Sequence, residues 1–237
     1  MIAGHEFALA GALMVARAAG TLWWPDAGVL VVSDLHLGKS GRIARRGGAL
    51  LPPYETADTL ARLGAEIAAL EPATVVCLGD TFDDLMAAEL PEAEALWLAR
   101  LMAGRRWIRI AGNHDPGPVR PGGEHLAEWR AGPLIFRHIA APGAVGEVSG
   151  HYHPKARVTA RGQALARPCF LIDAARAVLP AFGTYTGGLA TTDPALCALM
   201  APGAVAVLTG RRAVCLPMPR GAARPAGGPA RRPERRG

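Results

Sequence analysis

The sequence predicts an α/β protein in which short β-strands alternate with helices. Three apolar runs rich in β-branched residues end in glycine or polar residues, as strands do: GVLVVSD, ATVVCLGD and RWIRIAGNHD. The stretches between them, YETADTLARLGAEIAAL and LPEAEALWLARLMAG, carry apolar residues at helical spacing. This alternation favours neighbouring parallel strands. Because the strands are continuously apolar, we expect their sheet to be covered on both faces.

Further strands are predicted on either side of this alternating region. Near the N-terminus, GALMVARAAGTLWWP is typical of a first hairpin. Later in the chain, GPLIFRH and GAVGEVSGHYH predict two strands that lead into histidines. The region from Thr191 to Cys215 predicts a final hairpin, and it carries no residues that suggest chemistry.

The chain is long enough to bury a sizeable core. It has 237 residues, of which 50% are hydrophobic, and a net charge of +6. The segment from Pro219 onward contains six arginines and one glutamate, so five of the six net charges lie there. Its Pro, Gly, Ala and Arg residues cannot form a core. We therefore predict one domain over residues 1–218 and a disordered basic tail over 219–237, solvated rather than dedicated to nucleic acid.

The cysteines and the N-terminus point to the cytoplasm. Cys77, Cys169, Cys197 and Cys215 are far apart and form no C-x-x-C motif, which favours reduced thiols. The apolar run near the N-terminus is preceded by Glu6 and by no Lys or Arg, unlike a secretory signal. No apolar run approaches the ~20 residues of a membrane span.

Polar side chains with metal-binding chemistry follow nearly every predicted strand. In sheets of this kind, residues at the carboxyl ends of strands meet at one edge, where ligands bind. The residues at these ends are Asp34, His36, Asp80, Asn113, His114, His138, His151 and His153. Imidazoles and carboxylates without thiolates suit Zn, Mn or Fe, and the set exceeds what one tetrahedral ion uses. The sequence therefore predicts two metal ions, with Asp80 as their bridge. The glycines before Asp80, Asn113 and His151 are expected to allow sharp turns.

Five motifs in series resemble those of the calcineurin-like metallophosphoesterases. They are DLH at 34–36, GDTFD at 79–83, GNHD at 112–115, the single His138, and GHYH at 150–153. The segments LWWP, DLHLGK, RRGGALLPPYET, GEVSGHYHPK and VLPAFGTYTGGL are similar to the ligase-associated DNA damage response phosphoesterase branch. The similarity covers about residues 22–189. It implies a sandwich of two mixed β-sheets flanked by helices, with a dimetal site at one edge.

The resemblance also implies roles for individual residues. One metal takes Asp34, His36, Asp80 and His153, and the other takes Asp80, Asn113, His138 and His151. His114 stabilises the phosphorus centre and protonates the leaving oxygen, and Asp115 orients its imidazole. Asp83 receives no firm role, because relatives often carry another polar residue there.

The implied activity is that of a dimetal phosphoesterase, a phosphodiesterase or endonuclease of DNA repair. A metal-bound hydroxide attacks phosphorus in line, and manganese is the favoured metal, with zinc or iron as alternatives. The branch implies association with an ATP-dependent DNA ligase and a helicase. Close to the first motif, Lys39, Arg42, Arg45 and Arg46 are candidate contacts to nucleic-acid phosphates, or else a solvated surface. Tyr152, between two predicted ligands, is a further candidate substrate contact.

Three alternatives stay open at this point. The chain could be a phosphomonoesterase, or a metal-binding scaffold without turnover, because ligands alone do not prove catalysis. It could also be a P-loop NTPase, because SDLHLGKS lacks only the first glycine of that motif. In that case Lys39 would bind phosphates and Ser40 would bind Mg²⁺. The NTPase hypothesis leaves five strand-end residues from Asn113 onward without a role.

Overall fold

The computed structural model describes residues 4–48, 51–118, 122–160 and 162–221. From position 222 onward, the predicted basic tail lies outside the described residues. All four cysteines are free. Within the described ranges, no helix is both long enough and apolar enough to cross a membrane.

The N-terminal half of the chain forms a seven-stranded sheet, counted over the described residues, in which the strands lie in chain order. The strands are β1 (Gly4–Leu9), β2 (Ala12–Arg17), β3 (Leu22–Trp24), β4 (Val29–Val32), β5 (Thr74–Cys77), β6 (Arg106–Ile110) and β7 (Glu124–Leu126). Strands β1 to β4 are antiparallel, which agrees with the predicted first hairpin, and β4 to β7 are parallel.

Helices connect the first three parallel strands. They are α1 (Lys39–Arg45) and α2 (Glu55–Leu70) between β4 and β5, and α3 (Glu92–Met102) between β5 and β6. The helical spacing predicts α2 and α3 among them, whereas α1 was not predicted. Parallel neighbours need such long crossovers, because the chain must return to the same end of the sheet. The carboxyl ends of β4, β5 and β6 therefore share one edge.

The C-terminal half forms an eight-stranded mixed sheet, again counted over the described part of the chain. Its strands are β8 (Glu128–Ala131), β9 (Leu134–Arg137), β10 (Glu147–Ser149), β11 (Lys155–Ala160), β12 (Gln163–Ile172), β13 (Arg176–Val178), β14 (Val205–Leu208) and β15 (Val214–Pro217). The spatial order is β15, β14, β12, β13, β10, β9, β8, and β11 pairs with β12 alone. Strands β9, β10 and β13 are parallel.

The final region contains a helix that the sequence analysis did not predict. The predicted hairpin is present as β14 and β15, but α4 (Pro194–Leu199) precedes it. Asp193 caps this helix by accepting a hydrogen bond from the amide of Ala195, and Pro194 occupies its first turn. The helix has only six residues, too few for a helical period to stand out.

The two sheets pack face to face, and this confirms the sandwich implied by the resemblance. Alternate residues of each strand enter the core between the sheets, such as Val31 and Val76 from the first sheet and Phe136 and Phe170 from the second. Fully burying one such side chain contributes about 1.5–3 kcal/mol. Helices α2 and α3 cover the outer face of the first sheet, and α4 packs on the outer face of the second.

Candidate metal centre

The first sheet supplies four of the predicted ligands from the ends of its parallel strands. Asp34 and His36 follow β4, Asp80 follows β5, and Asn113 follows β6. Because these strands are paired in parallel register, their carboxyl ends deliver the four side chains to one edge. Backbone bonds tie two of the loops together, since the amide of His36 donates to the carbonyl of Asp80 at 2.9 Å.

The second sheet supplies the remaining three predicted ligands at the same edge. His138 follows β9, and His151 and His153 follow β10. The amide of His151 donates to Asp34 Oδ2 at 3.0 Å, which joins the two sheets. The structure therefore brings together all seven residues that the sequence analysis proposed as metal ligands.

Strained backbone is concentrated at these ligands. Eight described residues other than glycine have a positive φ, and five of them are predicted ligands. The five are Asp34 at 53°, His36 at 45°, Asp80 at 46°, His151 at 69° and His153 at 46°. Left-handed backbone costs of order 1–3 kcal/mol per residue, and it persists where a functional site requires it. The tight turns at this edge are thus made by the ligands themselves.

The neighbouring glycines serve mainly to leave space, which differs from the expectation. Only Gly79 has a left-handed backbone, with a φ of 80°, and a Cβ there would lie 2.6 Å from Cγ of His138. Gly112 and Gly150 have no positive φ. A Cβ at Gly112 would overlap the amide of Asp80, and one at Gly150 would lie 2.6 Å from Asp34 Oδ2. Glycine is required at both because loops from different strands touch.

One half of the centre gathers around Asp34. His153 Nε2 lies 3.1 Å from Asp34 Oδ1, and His36 Nε2 lies 4.0 Å from Asp80 Oδ2. Asp34 Oδ1, His36 Nε2 and His153 Nε2 are all buried and form no hydrogen bond. Buried polar atoms normally have partners, so three such atoms in one place indicate a ligand of another kind.

The other half gathers around His138. Its Nε2 lies 2.9 Å from Asn113 Oδ1, 3.2 Å from His151 Nδ1 and 3.4 Å from Asp80 Oδ2. Nδ1 of the same ring lies 2.7 Å from the carbonyl oxygen of Leu78, to which only a protonated nitrogen can bond. In the neutral ring Nε2 then carries a lone pair that faces other lone pairs, an arrangement that a cation stabilises.

The residues fit a pair of divalent cations. Their donor atoms form three overlapping groups, each with atoms within 4.8 Å of one another. The groups are Asp34, His36 and His153; His36, Asp80 and His114; and Asp34, Asp80 and His138. Asp34, His36 and Asp80 each belong to two of them, so neighbouring groups share a donor residue. Imidazole, carboxylate and amide donors suit zinc, manganese or iron.

The imidazoles of the centre keep both core carboxylates ionised. Burial raises the pKa of Asp34, but the imidazole of His153, whose Nε2 lies 3.1 Å from Oδ1, and the charge of His138 outweigh it, and the pKa falls below its ordinary value. Burial likewise opposes ionisation of Asp80, yet the hydrogen bond and charge of His138 lower its pKa to about 2. Burial lowers the pKa of His138, and Asp80 and Asp34 reverse this and raise it. The ionisation of the two carboxylates on the first sheet thus depends on the histidines of the second sheet.

Asp83 orients a ligand, a role that the sequence analysis left unassigned. The Nδ1–H of His36 donates to Asp83 Oδ1 at 2.7 Å, which leaves Nε2 free to bind the predicted metal. Lys39 Nζ lies 3.4 Å from the same oxygen, and Arg42 pairs with Asp83 Oδ2. Burial opposes ionisation of Asp83, but His36, Lys39 and Arg42 together hold its pKa well below the ordinary value. The doubled aspartate in GDTFDD was the only sequence signal.

The expected pairing of Asp115 with His114 is wrong. Asp115 is buried and accepts hydrogen bonds from the amides of Thr81 at 2.8 Å and Phe82 at 3.1 Å, so it braces the loop after β5. The carbonyl of Asp83 holds the His114 ring instead, 2.7 Å from Nδ1. The His114 amide also donates to Asp80 Oδ1 at 2.9 Å. His114 thus lies at the centre as predicted, with a different orienting partner.

The basic residues after the first motif are largely neutralised inside the molecule. Lys39 and Arg42 pair with Asp83, and Arg45 pairs with Asp84 at 3.0 Å. They do not form the free cationic patch that the sequence suggested, although Arg46 is exposed beyond α1. The carboxylates that pair with them lie about 40 residues away in sequence, with separations of 44, 41 and 39.

The contacts of Ser40 and Lys39 disagree with the P-loop alternative. Ser40 donates through both its amide and its hydroxyl to Glu55 Oε1, at 2.9 and 2.7 Å, so it is committed to a carboxylate. Lys39 is committed to Asp83. Tyr152 is half-buried beside the centre, with its ring 5.2 Å from that of His151 in an edge arrangement.

Comparisons with known proteins agree with this geometry. A model of the calcineurin-like phosphoesterase family matches residues 28–161, a range that contains every predicted ligand. Among solved structures, the chain is similar to the Pseudomonas putida nuclease MPE, with 29% identity and a TM-score of 0.72. That match covers 90% of this chain and 100% of the nuclease. A search of curated proteins finds no match.

Proposed function

Since the chain belongs to the calcineurin-like phosphoesterase family and is a metal-dependent phosphoester hydrolase, we propose that it is a phosphodiesterase that cleaves DNA during repair. The observation that carries the proposal is the convergence of seven donor residues from both sheets on one edge. The similarity to a nuclease along nearly the whole chain favours a phosphodiester over a monoester. The resemblance to the ligase-associated branch supports a repair role beside an ATP-dependent DNA ligase and a helicase.

The centre would hold two cations, manganese being the one we favour. Asp34, His36, Asp80 and His153 would hold one of them, and Asp80, Asn113, His138 and His151 the other. When bound, the pair supplies Lewis-acid activation of water and neutralises charge on the phosphoryl oxygens. The unpartnered nitrogens and carboxylate oxygen are the observation that supports this assignment.

His114 is positioned to move a proton. Its Nδ1–H donates to the carbonyl of Asp83, which fixes the ring and leaves Nε2 to carry the exchangeable proton. One nitrogen of His114 lies within 4.8 Å of the donor atoms of His36 and Asp80, which would place the ring beside a phosphate bound at the centre. In its protonated form, it gives a proton to the leaving oxygen and stabilises charge on phosphorus.

Asp83 and Asp115 support this arrangement without touching the substrate. Asp83 orients His36 through its carboxylate and His114 through its backbone carbonyl. One residue therefore positions both a predicted metal ligand and the proposed proton donor. Asp115 fixes the loop that carries Asp80. The free thiols of Cys77 and Cys169, whose pKa burial raises to about 12, support a reducing compartment, for which we propose the cytoplasm.

The test is hydrolysis of bis(p-nitrophenyl) phosphate and of DNA by chelator-stripped protein, with and without added Mn²⁺. Asp34→Asn removes a charge from the centre, and Asp26→Asn is the matched control, because the two aspartates flank opposite ends of β4. We expect Mn²⁺-dependent hydrolysis that Asp34→Asn abolishes and Asp26→Asn leaves unchanged.

Two outcomes would contradict the proposal. Turnover of p-nitrophenyl phosphate without turnover of the diester would show a monoesterase. Stoichiometric metal binding without turnover of either ester or of DNA would show a metal-binding scaffold. Metal content would be measured on the same samples, so that an empty site is not mistaken for an inactive one.

A further inference from the structure

A cavity outside the metal centre lies on the outer face of the second sheet, the face that packs against α4. Its volume is about 550 Å³. The lining comes from the β11–β12 hairpin and the β14–β15 hairpin. The floor is formed by Val158, Leu165, Leu208 and Val214, and the basic side chains are Arg167, Arg211 and Arg212. We call this cavity the arginine groove.

The three arginines of the groove carry positive charge that is not neutralised by carboxylates. Within the described residues, none of them forms an ion pair, and no Asp or Glu lines the groove. This contrasts with Arg106 and Arg130, which pair with Glu124 and Glu128 at 2.7 and 2.8 Å. Unpaired guanidinium groups match the charge and the geometry of phosphates. The charge complementarity of the groove thus favours a polyanion.

The floor of the groove favours a nucleic acid whose bases are accessible. Leu165 is 37% exposed and Val214 is 50% exposed, which leaves apolar surface beside the arginines. In a duplex the faces of the bases are stacked on one another, so they are not available to an apolar protein surface. In a single strand the bases can lie on an apolar surface while the phosphates contact basic side chains.

The groove is within reach of a strand that is bound at the metal centre. Ala156 is three residues beyond the ligand His153, so their Cα atoms are at most about 11 Å apart. Ala156 is the cross-strand partner of Arg167, which adds about 5 Å. The Cα of Arg167 therefore lies within about 16 Å of the Cα of His153, a distance that a few nucleotides of an extended strand can span.

We propose that the arginine groove binds the phosphates and bases of a single-stranded segment of the substrate whose scissile bond lies at the metal centre. This inference rests on the proposed function, and it assigns a nucleic-acid contact to a surface outside the metal centre. The sequence suggested unpaired cations after the first motif. In the structure, the unpaired arginines of the groove lie on the outer face of the second sheet, which points away from the core between the sheets.

The experiment compares Arg211→Ala/Arg212→Ala with a control that removes the same charge, Arg106→Ala/Arg130→Ala. Arg130 is on β8, at the opposite edge of the second sheet from β15. The probe is a fluorescent single-stranded oligonucleotide with phosphorothioate linkages, which keep their charge and resist hydrolysis, and its duplex form serves for comparison. Affinity of the full chain loaded with Mn²⁺ is measured by anisotropy as a function of salt.

We expect the dependence of log affinity on log salt to become less steep by about 1.4 in the groove variant, at about 0.7 per phosphate contact on a single strand. Arg167→Ala alone should reduce the slope by about 0.7. The control should keep the wild-type slope. All variants should hydrolyse bis(p-nitrophenyl) phosphate at the wild-type rate, because this small substrate does not reach the groove.

The inference and the proposed function fail in different ways. If the wild type hydrolyses bis(p-nitrophenyl) phosphate and DNA but the groove variant and the control have equal slopes, the groove is not a nucleic-acid site and the function stands. An effect confined to the duplex would overturn the assignment to a single strand. Absence of hydrolysis by the metal-loaded wild type would overturn the proposed function itself.

Discussion

The two sheets contribute different chemistry to the same centre. The first sheet gives the oxygen donors Asp34, Asp80 and Asn113 together with one imidazole, and the second gives only imidazoles, from His138, His151 and His153. The two carboxylates are almost completely buried, at 0% and 2% exposure, whereas His151 and His153 are half-buried. The negative charge is therefore buried on the first sheet, and the second sheet supplies the imidazoles that do most to stabilise it.

This division makes the centre a property of the contact between the sheets. Asp34 is ionised in spite of its burial because His153 and His138 lie against it, and Asp80 depends on His138 in the same way. A buried carboxylate without such a partner would be protonated or would require a cation. Neither sheet could hold its half of the site alone, so metal binding and the pairing of the sheets should strengthen each other.

The strongest test of this comparison removes Asp80, the carboxylate that is predicted to bridge the two ions. Asp80→Asn should release both ions and lower activity by more than about 10⁴-fold, since each ion supplies several kcal/mol of charge stabilisation. His151→Ala removes one imidazole from the second sheet and should cost less. Metal stoichiometry is measured by elemental analysis and hydrolysis is measured on the same samples, so that the losses in the two variants can be compared. Equal losses would show that the sheets contribute equally.

The next largest effect concerns His114, for which we propose a role in proton transfer rather than in metal binding. His114→Ala should lower kcat by about 10²–10⁴-fold, the usual contribution of a positioned acid, while both ions stay bound. Its backbone amide still donates to Asp80, so the geometry of that carboxylate is kept. Calorimetric titration with Mn²⁺ checks retention. Loss of metal together with activity would make His114 a ligand instead.

A smaller effect is expected from the carboxylate that orients a ligand. Asp83→Asn should weaken metal affinity by about 10–100-fold, because the amide holds the ring of His36 less well than the carboxylate does. Asp84→Asn is the matched control, since Asp84 pairs with Arg45 at the surface. Titration with Mn²⁺ measures both variants. Equal affinities would remove Asp83 from the centre.

The smallest effect is expected where the sheets touch. Gly150→Ala places a Cβ against the hydroxyl of Ser33 and 2.6 Å from Asp34 Oδ2, so it should lower the free energy of unfolding by about 1–3 kcal/mol. Gly117→Ala, where the added Cβ meets open space, should have little effect. Denaturant unfolding measures the difference. If added Mn²⁺ stabilises Gly150→Ala as much as the wild type, the contact does not set metal affinity.

Much of the site followed from strand-end positions. Residues such as Asp34, Asp80 and Asn113 each come directly after an apolar run, and parallel strands deliver such residues to one edge. The same argument placed His138 and His151, because β9 and β10 are also parallel neighbours. Periodicity likewise predicted the long helices, whereas the six-residue α4 gave no periodic signal.

Orientation of side chains was predicted less well. The expected bond between Asp115 and His114 failed because adjacent residues at a turn point in different directions, and Asp115 faces the amides of Thr81 and Phe82. The prediction that the basic residues after the first motif form an unpaired cationic patch was wrong, because Asp83 and Asp84, about 40 residues later, form ion pairs with them. Sequence spacing does not report such long-range returns.

The sequence by itself determined which residues can bind metal, on which strands they lie, and that their strands share an edge, because apolar periodicity and strand-end chemistry are local properties. Only the tertiary structure decided which donors face one another, which carboxylate orients which imidazole, and where unpaired charge is left. The reason is physical: burial and electrostatic interaction depend on distance in space, and the amide of His151 reaches Asp34 across 117 positions of sequence.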